Sequence, residues 1–249
     1  MGNFWTIVNK VIKEADVLLM LLDARLVQET RNAKIEEKIR DLKKPLIYVI
    51  TKADLVEDKD EVEKFKKHLR PCVFVSSTKH YGTTLLRNRI MIVSERNKIL
   101  HRPIQVGVIG YPNVGKSSLI NAMSGKSAAP TSSMSGYTTG VQKVRGDNMI
   151  MFLDTPGVIP HNEKDIGKQS MIGSIDHTKI KEPDLSVMRL MAEFPGKIEK
   201  HYDVPVSDDF EETIEIIAIK KSAFKQGREP NIDKMSRTIL RDWQIGLIK

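Results

Sequence analysis

The sequence has 249 residues, enough for one large domain or for a medium domain with a smaller one. With 40% hydrophobic and 29% charged residues, no apolar run of membrane-spanning length and no secretory leader pattern, it predicts a cytoplasmic globular protein without a membrane partner. The single cysteine, Cys72, excludes an internal disulfide and a thiol cluster for metal. A net charge of +8 permits a polyanionic partner but does not establish one.

Five short apolar runs mark candidate strands in the first two thirds of the chain. Each is continuous, as in strands buried on both faces of a parallel sheet: DVLLMLLD (16–23), PLIYVI (45–50), CVFVSS (72–77), QVGVIG (105–110) and MIMFLD (149–154). Apolar residues at helical spacing between several of these runs predict helices, so the pattern indicates an α/β fold. Gly-Asp-Asn at 146–148 predicts a hairpin and hence a sixth, antiparallel strand.

Strand signals fade after about residue 178, and three helical stretches follow at 185–194, 210–221 and 232–243. Pro-Gly at 195–196 and the turn-rich KQGREPN at 225–231 separate them. The sequence therefore predicts two domains, an α/β domain over 1–178 and a small all-helical domain over 179–249.

The first motif in chain order is TKAD, which follows the strand predicted at 45–50. Guanine presents a ring N–H beside an exocyclic NH₂, and the Asp54 carboxylate can accept both, whereas adenine lacks this donor pair. Thr51 belongs to the same motif, and the stem of Lys52 can lie over the base. By itself TKAD also fits a helix cap, but a second strand-end loop supports the nucleotide interpretation, with the candidates Ser76, Ser77 and Thr78.

The second motif, GYPNVGKSS at 110–118, follows a predicted strand and opens a helical pattern. Gly110 and Gly115 allow backbone N–H groups to close around phosphate oxygens. Lys116 can bridge the outer phosphates, and the Ser117 hydroxyl can bind Mg²⁺. The nucleotide-contacting residues predicted here are Asn113, Val114, Gly115, Lys116, Ser117 and Ser118.

Two further segments complete a site that senses the γ-phosphate. SGYTTG at 135–140 supplies Thr138 and Thr139 as candidate magnesium ligands. DTPG follows an apolar strand, where Asp154 can hold Mg²⁺ through water and the Gly157 N–H can meet the γ-phosphate. Lys116, Gly157 and one of these two threonines, Thr138 or Thr139, are thus the residues expected to stabilise the transferring phosphoryl group.

The base-reading loop precedes the phosphate loop by about sixty residues, whereas in ordinary GTPases the phosphate loop comes first. Loops at one edge of a parallel sheet are assembled in space, so exchanged halves can still build one site. The sequence therefore predicts a circularly permuted P-loop GTPase domain with a mostly parallel, six-stranded sheet. A metabolic ATPase or kinase is disfavoured by TKAD.

The ordered set ADVLLMLLDAR, TKADL, SSTKHYG, GYPNVGKSSLIN, GYTTG, DTPGV and DKMSRTILRDWQIG resembles the circularly permuted GTPases of the YlqF/RbgA family over nearly the full chain. The resemblance implies GTP and GDP as ligands, assembly of the large ribosomal subunit as the function, and ribosomal RNA as the partner of the helical tail. It also implies Thr138 rather than Thr139 as the magnesium threonine, and Asn113 as a candidate potassium ligand. A monomer is expected.

The sequence departs from this family at Thr51, where Asn is usual, and lacks the early His that bacterial relatives carry. Val158 follows DTPG where many GTPases place a water-orienting Gln. We therefore expect slow intrinsic turnover, completed by K⁺ or by the ribosomal partner. The alternative is a nucleotide-gated RNA-binding module with negligible hydrolysis.

Basic residues concentrate in the helical tail. They predict a phosphate-binding patch, although a solvated basic face would look the same: Lys220, Lys221, Lys225, Arg228, Lys234, Arg237 and Arg241.

Overall fold

The computed structural model describes residues 3–56, 59–125, 141–155 and 166–249. The chain divides into two compact units, Met1–Asn162 and Glu163–Lys249. No helix within the described ranges is long and apolar enough to cross a membrane.

The first unit is built on one six-stranded sheet. Its strands are β1 Val17–Asp23, β2 Leu46–Thr51, β3 Cys72–Phe74, β4 Ile104–Ile109, β5 Gln142–Arg145 and β6 Ile150–Asp154. Their order is β3-β2-β1-β4-β6-β5. All neighbours pair in parallel except β5, which is antiparallel to β6. The predicted strand positions, the hairpin and the mostly parallel sheet are confirmed.

Among the described residues of this unit, five helices accompany the sheet: α1 Asn3–Glu14, α2 Ala33–Asp41, α3 Lys59–His68, α4 Thr83–Arg96 and α5 Lys116–Ser124. A short 3-10 helix, Ala53–Leu55, follows β2. Helix α1 was not predicted, although Val8, Val11 and Ile12 have helical spacing and are fully buried. They join β1 and α2 residues in the hydrophobic core.

The two halves of the predicted site meet where β1 pairs with β4, with Val17 opposite Val106 and Met20 opposite Ile109. Strands β1 to β3 extend to one side of this seam, and β4, β6 and β5 to the other. Because five strands are parallel, the base-reading loops and the phosphate loop all leave the sheet at the same edge.

The second unit contains only helices in its described part: α6 Ile166–Met171, a 3-10 helix His177–Lys179, α7 Pro183–Glu193, α8 Lys197–Tyr202, α9 Phe210–Lys220 and α10 Ile232–Ile245. Trp243 of α10 is fully buried, and its ring centroid lies 4.8 Å from that of Phe194. The predicted helical tail is present.

The division between the units differs from the boundary predicted at 178/179. Segment 166–179 lies in the helical unit, where α10 holds it by three side chains. Trp243 Nε1 donates to the Met171 carbonyl at 2.8 Å, and Gln244 Nε2 donates to that of Ile175 at 3.0 Å. Arg237 donates to the His177 and Thr178 carbonyls at 2.9 and 3.0 Å.

Candidate functional site

The phosphate loop connects β4 to α5 and depends on two glycines. A Cβ on Gly110 would lie 2.9 Å from the Leu21 carbonyl oxygen, so the loop passes closer to β1 than a side chain allows. Gly115 precedes α5 with φ +95°, a backbone conformation that glycine adopts without strain. Within the described ranges no side chain caps the start of α5, so its first N–H groups can serve an oxyanion.

Lys116 lies buried inside this loop, 6% exposed. Its ammonium group donates to the carbonyls of Gly110 at 3.1 Å and Tyr111 at 2.7 Å. Burial lowers its pKa to about 8, and the nearby Asp154 carboxylate opposes this shift. Bound phosphates would offer the ammonium a stronger, charged acceptor in place of the two carbonyls.

The side chains predicted to hold Mg²⁺ at this end of the sheet are adjacent. Ser117 Oγ donates to Asp154 Oδ2 at 3.3 Å. Asp154 is fully buried, burial raises its pKa, and its Oδ1 has no hydrogen-bond partner among the described residues. A buried carboxylate oxygen without a partner beside a serine hydroxyl fits a hydrated magnesium ion, which prefers oxygen ligands and retains several waters.

Thr51 joins the base-reading half to the phosphate loop. It is 3% exposed at the end of β2, and its hydroxyl donates to the Val114 carbonyl at 2.6 Å. The same hydroxyl lies 2.9 Å from the Leu22 carbonyl oxygen at the end of β1. One side chain therefore connects β1, β2 and the phosphate loop.

The two base-reading loops also meet. Asp54 lies in the 3-10 helix after Lys52, and the Thr78 hydroxyl reaches Asp54 Oδ2 at 3.5 Å. Buried Ser76 shapes the second loop, since its hydroxyl accepts from the Lys79 N–H at 3.1 Å and lies 3.2 Å from that of Thr78. Ser77 lies between them and is partly exposed.

Asp23, at the end of β1, was not predicted as a site residue. Its carboxylate forms ion pairs with Arg25 at 2.9 Å and Lys52 at 2.8 Å. Burial opposes the charged form, but the two cations outweigh it and hold the pKa of Asp23 well below its usual range. A charged residue that ends an apolar strand beside a motif loop is the sequence signal that could have identified it.

Several predicted residues lie outside the described ranges. These are Thr138, its alternative Thr139, Gly157 and Val158.

The basic residues of the tail differ in their surroundings. Lys225, Arg228 and Lys234 are exposed. Arg237 is occupied within the unit, because it also forms an ion pair with Asp233 at 2.9 Å. Three others have neighbours: Lys220 pairs with Asp203 at 2.8 Å, Arg241 with Asp242 at 3.0 Å, and Lys221 lies 5.4 Å from the Tyr202 ring centroid.

A phosphate-loop motif after β4 and the TKAD motif after β2, on one sheet edge but in exchanged chain order, define the class of circularly permuted P-loop proteins. Residues 105–221 match the family model described as 50S ribosome-binding GTPase. The chain is 39% identical over 245 residues to an uncharacterized GTP-binding protein of Methanocaldococcus jannaschii, covering 96% of this chain and 64% of that protein.

Two yeast relatives and two solved structures extend the match. In Saccharomyces cerevisiae, Nucleolar GTP-binding protein 2 is 32% identical over 99% of this chain and 52% of its own length, and the nuclear GTP-binding protein NUG1 is 30% identical over 97% and 54%. Solved structures of YlqF from T. maritima, GNP-bound and GDP-bound, share the fold with TM-score 0.66 at 20% identity. They cover 96% of this chain, which in turn covers 92% and 94% of theirs.

The chain is similar in sequence to these GTP-binding proteins and shares its fold with the two YlqF structures. It spans between about half and two thirds of the length of these curated relatives.

Proposed function

We propose that this chain binds GTP and GDP, hydrolyses GTP to GDP and phosphate, and acts as an assembly factor of the large ribosomal subunit. One observation carries the nucleotide part. The Thr51 hydroxyl donates to the Val114 carbonyl at 2.6 Å, so the TKAD motif and the phosphate-loop motif are in direct contact although these two residues are 63 positions apart in the chain. Asp54 lies at the base end of the candidate site, and Lys116 at its phosphate end.

The ribosomal part rests on similarity to known proteins. The matching family model is described as a ribosome-binding GTPase, and the yeast relatives carry nuclear and nucleolar names. We place this chain, as a monomer, wherever large subunits are assembled in its cell, in the cytoplasm or the nucleolus.

The residues divide the chemical work between them. Phosphoryl transfer requires positioning and charge stabilisation more than covalent catalysis. Lys116 binds the outer phosphates, and Gly157 meets the γ-phosphate through its N–H. Ser117 and Thr138 would hold Mg²⁺, Asp154 would hold it through water, and the bound ion would neutralise developing charge. Asn113 is the candidate ligand for K⁺.

Val158 follows DTPG in the sequence, where many GTPases place a water-orienting Gln, and its side chain cannot donate or accept a hydrogen bond. This feature supports slow intrinsic hydrolysis that K⁺ or the ribosomal partner completes. A partner that supplies charge can accelerate such reactions by about 10³- to 10⁵-fold. The apolar side chain of Val158 also favours the second candidate function, an RNA-binding module that is gated by nucleotide and has negligible hydrolysis.

Single-turnover GTP hydrolysis, with and without purified large subunits and in K⁺ or Na⁺, tests the proposal. We expect a low basal rate that rises in K⁺ and rises further with subunits. Lys116→Ala and Ser117→Ala provide controls that retain subunit binding but lose turnover. If subunits bind but stimulate hydrolysis at no salt concentration, the second candidate becomes the better account.

A further inference from the structure

Asp23 organises a buried cluster of charges at the base end of the nucleotide site. Its Oδ1 accepts from the backbone N–H and the Nε–H of Arg25, at 3.0 and 3.1 Å. Its Oδ2 accepts from Arg25 Nη2 at 2.9 Å and from Lys52 Nζ at 2.8 Å. Four donors thus surround one carboxylate that is only 3% exposed.

The backbone explains why Lys52 reaches this carboxylate. Asp23 lies opposite Thr51 in the register of β1 and β2, so Lys52 is the residue directly after that pair. Lys52 has φ +53° and ψ +34°, a left-handed conformation that is unfavourable for a side chain with a Cβ. Its ammonium group is held at the end of β1, and the 3-10 helix that carries Asp54 starts at the next residue.

Stability alone is a poor explanation for this cluster. A buried ion pair costs desolvation energy, and apolar residues of similar volume often serve a core as well or better. Here two cations share one carboxylate, so the cluster keeps excess positive charge at the edge of the sheet where the motif loops converge. The Asp23 contacts instead restrict the Lys52 stem to one path beside Asp54.

We infer that Asp23 is a positioning residue for guanine: it anchors the Lys52 ammonium so that the lysine stem forms a preformed wall against the face of the base. Arg25 braces the Asp23 carboxylate, and Asp54 reads the base edge. This inference rests on the proposed nucleotide function and adds a residue to its base pocket. Preorganisation of this kind strengthens binding because less freedom is lost when the ligand arrives.

The test compares Asp23→Asn with the wild type at a temperature where circular dichroism shows both to be fully folded. GDP affinity by calorimetry should fall by about tenfold to a hundredfold, the effect of losing one hydrogen bond to a charged group. The single-turnover rate at saturating GTP should stay unchanged, because the phosphate end is intact. Preference for guanine over xanthine should also persist, because Asp54 sets it.

A matched control is Glu36→Gln, which removes the carboxylate charge from the Arg31–Glu36 pair, 2.6 Å apart, outside the site. It should leave GDP affinity unchanged. Lys52→Met serves if Asp23→Asn does not fold, since it keeps an apolar stem without the anchored ammonium, and it should weaken GDP binding similarly. Unchanged GDP affinity in these site variants, or an equal loss of affinity and saturated rate, would overturn the inference. A wild type that binds no guanine nucleotide would refute the proposed function instead.

Discussion

At the scale of single residues, the site combines groups with opposite electrostatic needs. Asp154 and Lys116 are both buried, and burial disfavours the charged form of each. Nucleotide and Mg²⁺ would supply the missing opposite charges. The site is therefore suited to its ligands rather than to its own stability, and single substitutions should separate the two properties.

The first prediction concerns the base. Asp54→Asn should weaken GTP and GDP binding and relax selectivity toward xanthine nucleotides, since the new amide NH₂ can face the xanthine carbonyl. Competition calorimetry with GDP and xanthosine diphosphate measures the change. Unaltered guanine selectivity would show that another group reads the base.

The second prediction concerns pH. The pKa of Lys116 is about 8 in the folded chain and near 10.5 when unfolded, so the unfolded state binds more protons between these values. The contribution of Lys116 to stability should therefore rise with pH across this window. Phosphate binding needs the charged ammonium, so GDP affinity should fall as pH rises above about 8.

Calorimetric titration of GDP from pH 7 to pH 9.5 checks this, with Lys116→Arg as the control because its guanidinium stays charged throughout. The wild type should lose more affinity than the control over this range. Parallel losses would assign the pH effect to another group.

At the scale of helices and strands, some side chains stabilise the fold by linking two elements, a role that their neighbours in sequence do not indicate. Thr51 lies at the end of β2 but bonds the phosphate loop after β4, and Arg237 lies in α10 but holds the 3-10 helix His177–Lys179. Each has a structural role that depends on a residue about sixty positions away in sequence.

Thr51→Val should therefore disturb two loops together. It keeps the shape of the side chain but leaves the buried Val114 carbonyl without its donor, which costs about 1–3 kcal/mol of unfolding free energy. GDP affinity should fall as well, because the phosphate loop loses its link to β2. Thr213→Val, which removes a hydroxyl that donates to the Asp209 carbonyl at 2.8 Å in the helical unit, should lower stability without this loss of affinity.

The tail provides a second prediction at this scale. If the tail binds RNA as proposed, replacing exposed Lys225, Arg228 and Lys234 with Ala should weaken that binding. It should also reduce the salt dependence of binding, by about one unit of slope for each RNA phosphate that is no longer neutralised. Arg237→Ala should instead lower the unfolding free energy, because it removes an ion pair and two hydrogen bonds to carbonyls. Filter binding across a salt series and urea unfolding of each variant separate the two roles. If Arg237→Ala weakened RNA binding as much as the replacement of the three exposed residues does, Arg237 would be part of the RNA-binding surface.

At the scale of the whole molecule, the permutation is possible because the sheet edge, not chain order, assembles the site. The connection that joins the two exchanged halves runs from α4 to β4. Asp16 holds its C-terminal end, because Asp16 Oδ2 accepts from the Gln105 N–H at 2.7 Å and lies 2.9 Å from His101 Nε2. Arg87 of α4 donates to Asp147 of the β5–β6 hairpin at 2.8 Å. The connection is thus held at several points in the first unit.

The division into units predicts how fragments behave. Fragment 163–249 should fold cooperatively, with the blue-shifted fluorescence of buried Trp243, its single tryptophan. Fragment 179–249 lacks the carbonyls of Met171 and Ile175 that accept from α10, and should be less stable by at least about 1–3 kcal/mol. Urea unfolding followed by fluorescence compares them, and equal stability would support the boundary at 178.

Local patterns in the sequence were sufficient to predict the strands, most helices and the permuted motif order. Continuous apolar runs indicate buried strands, and glycines mark the phosphate loop. Helix α1 could have been predicted in the same way, from the helical spacing of Val8, Val11 and Ile12. Roles could be assigned to Asp54 and Lys116 because their chemistry matches guanine and phosphate.

The partners of these residues depend instead on the tertiary fold. The Asp23–Lys52 pair and the Thr51–Val114 bond each require that β1, β2 and β4 lie side by side, which no local pattern specifies. Arg237 looks like any basic residue until its acceptors, about sixty positions away in the chain, are placed beside it. The division of the chain after residue 162 likewise depends on contacts with α10. The segment 166–179 belongs to the helical unit because its carbonyls accept hydrogen bonds from side chains of α10.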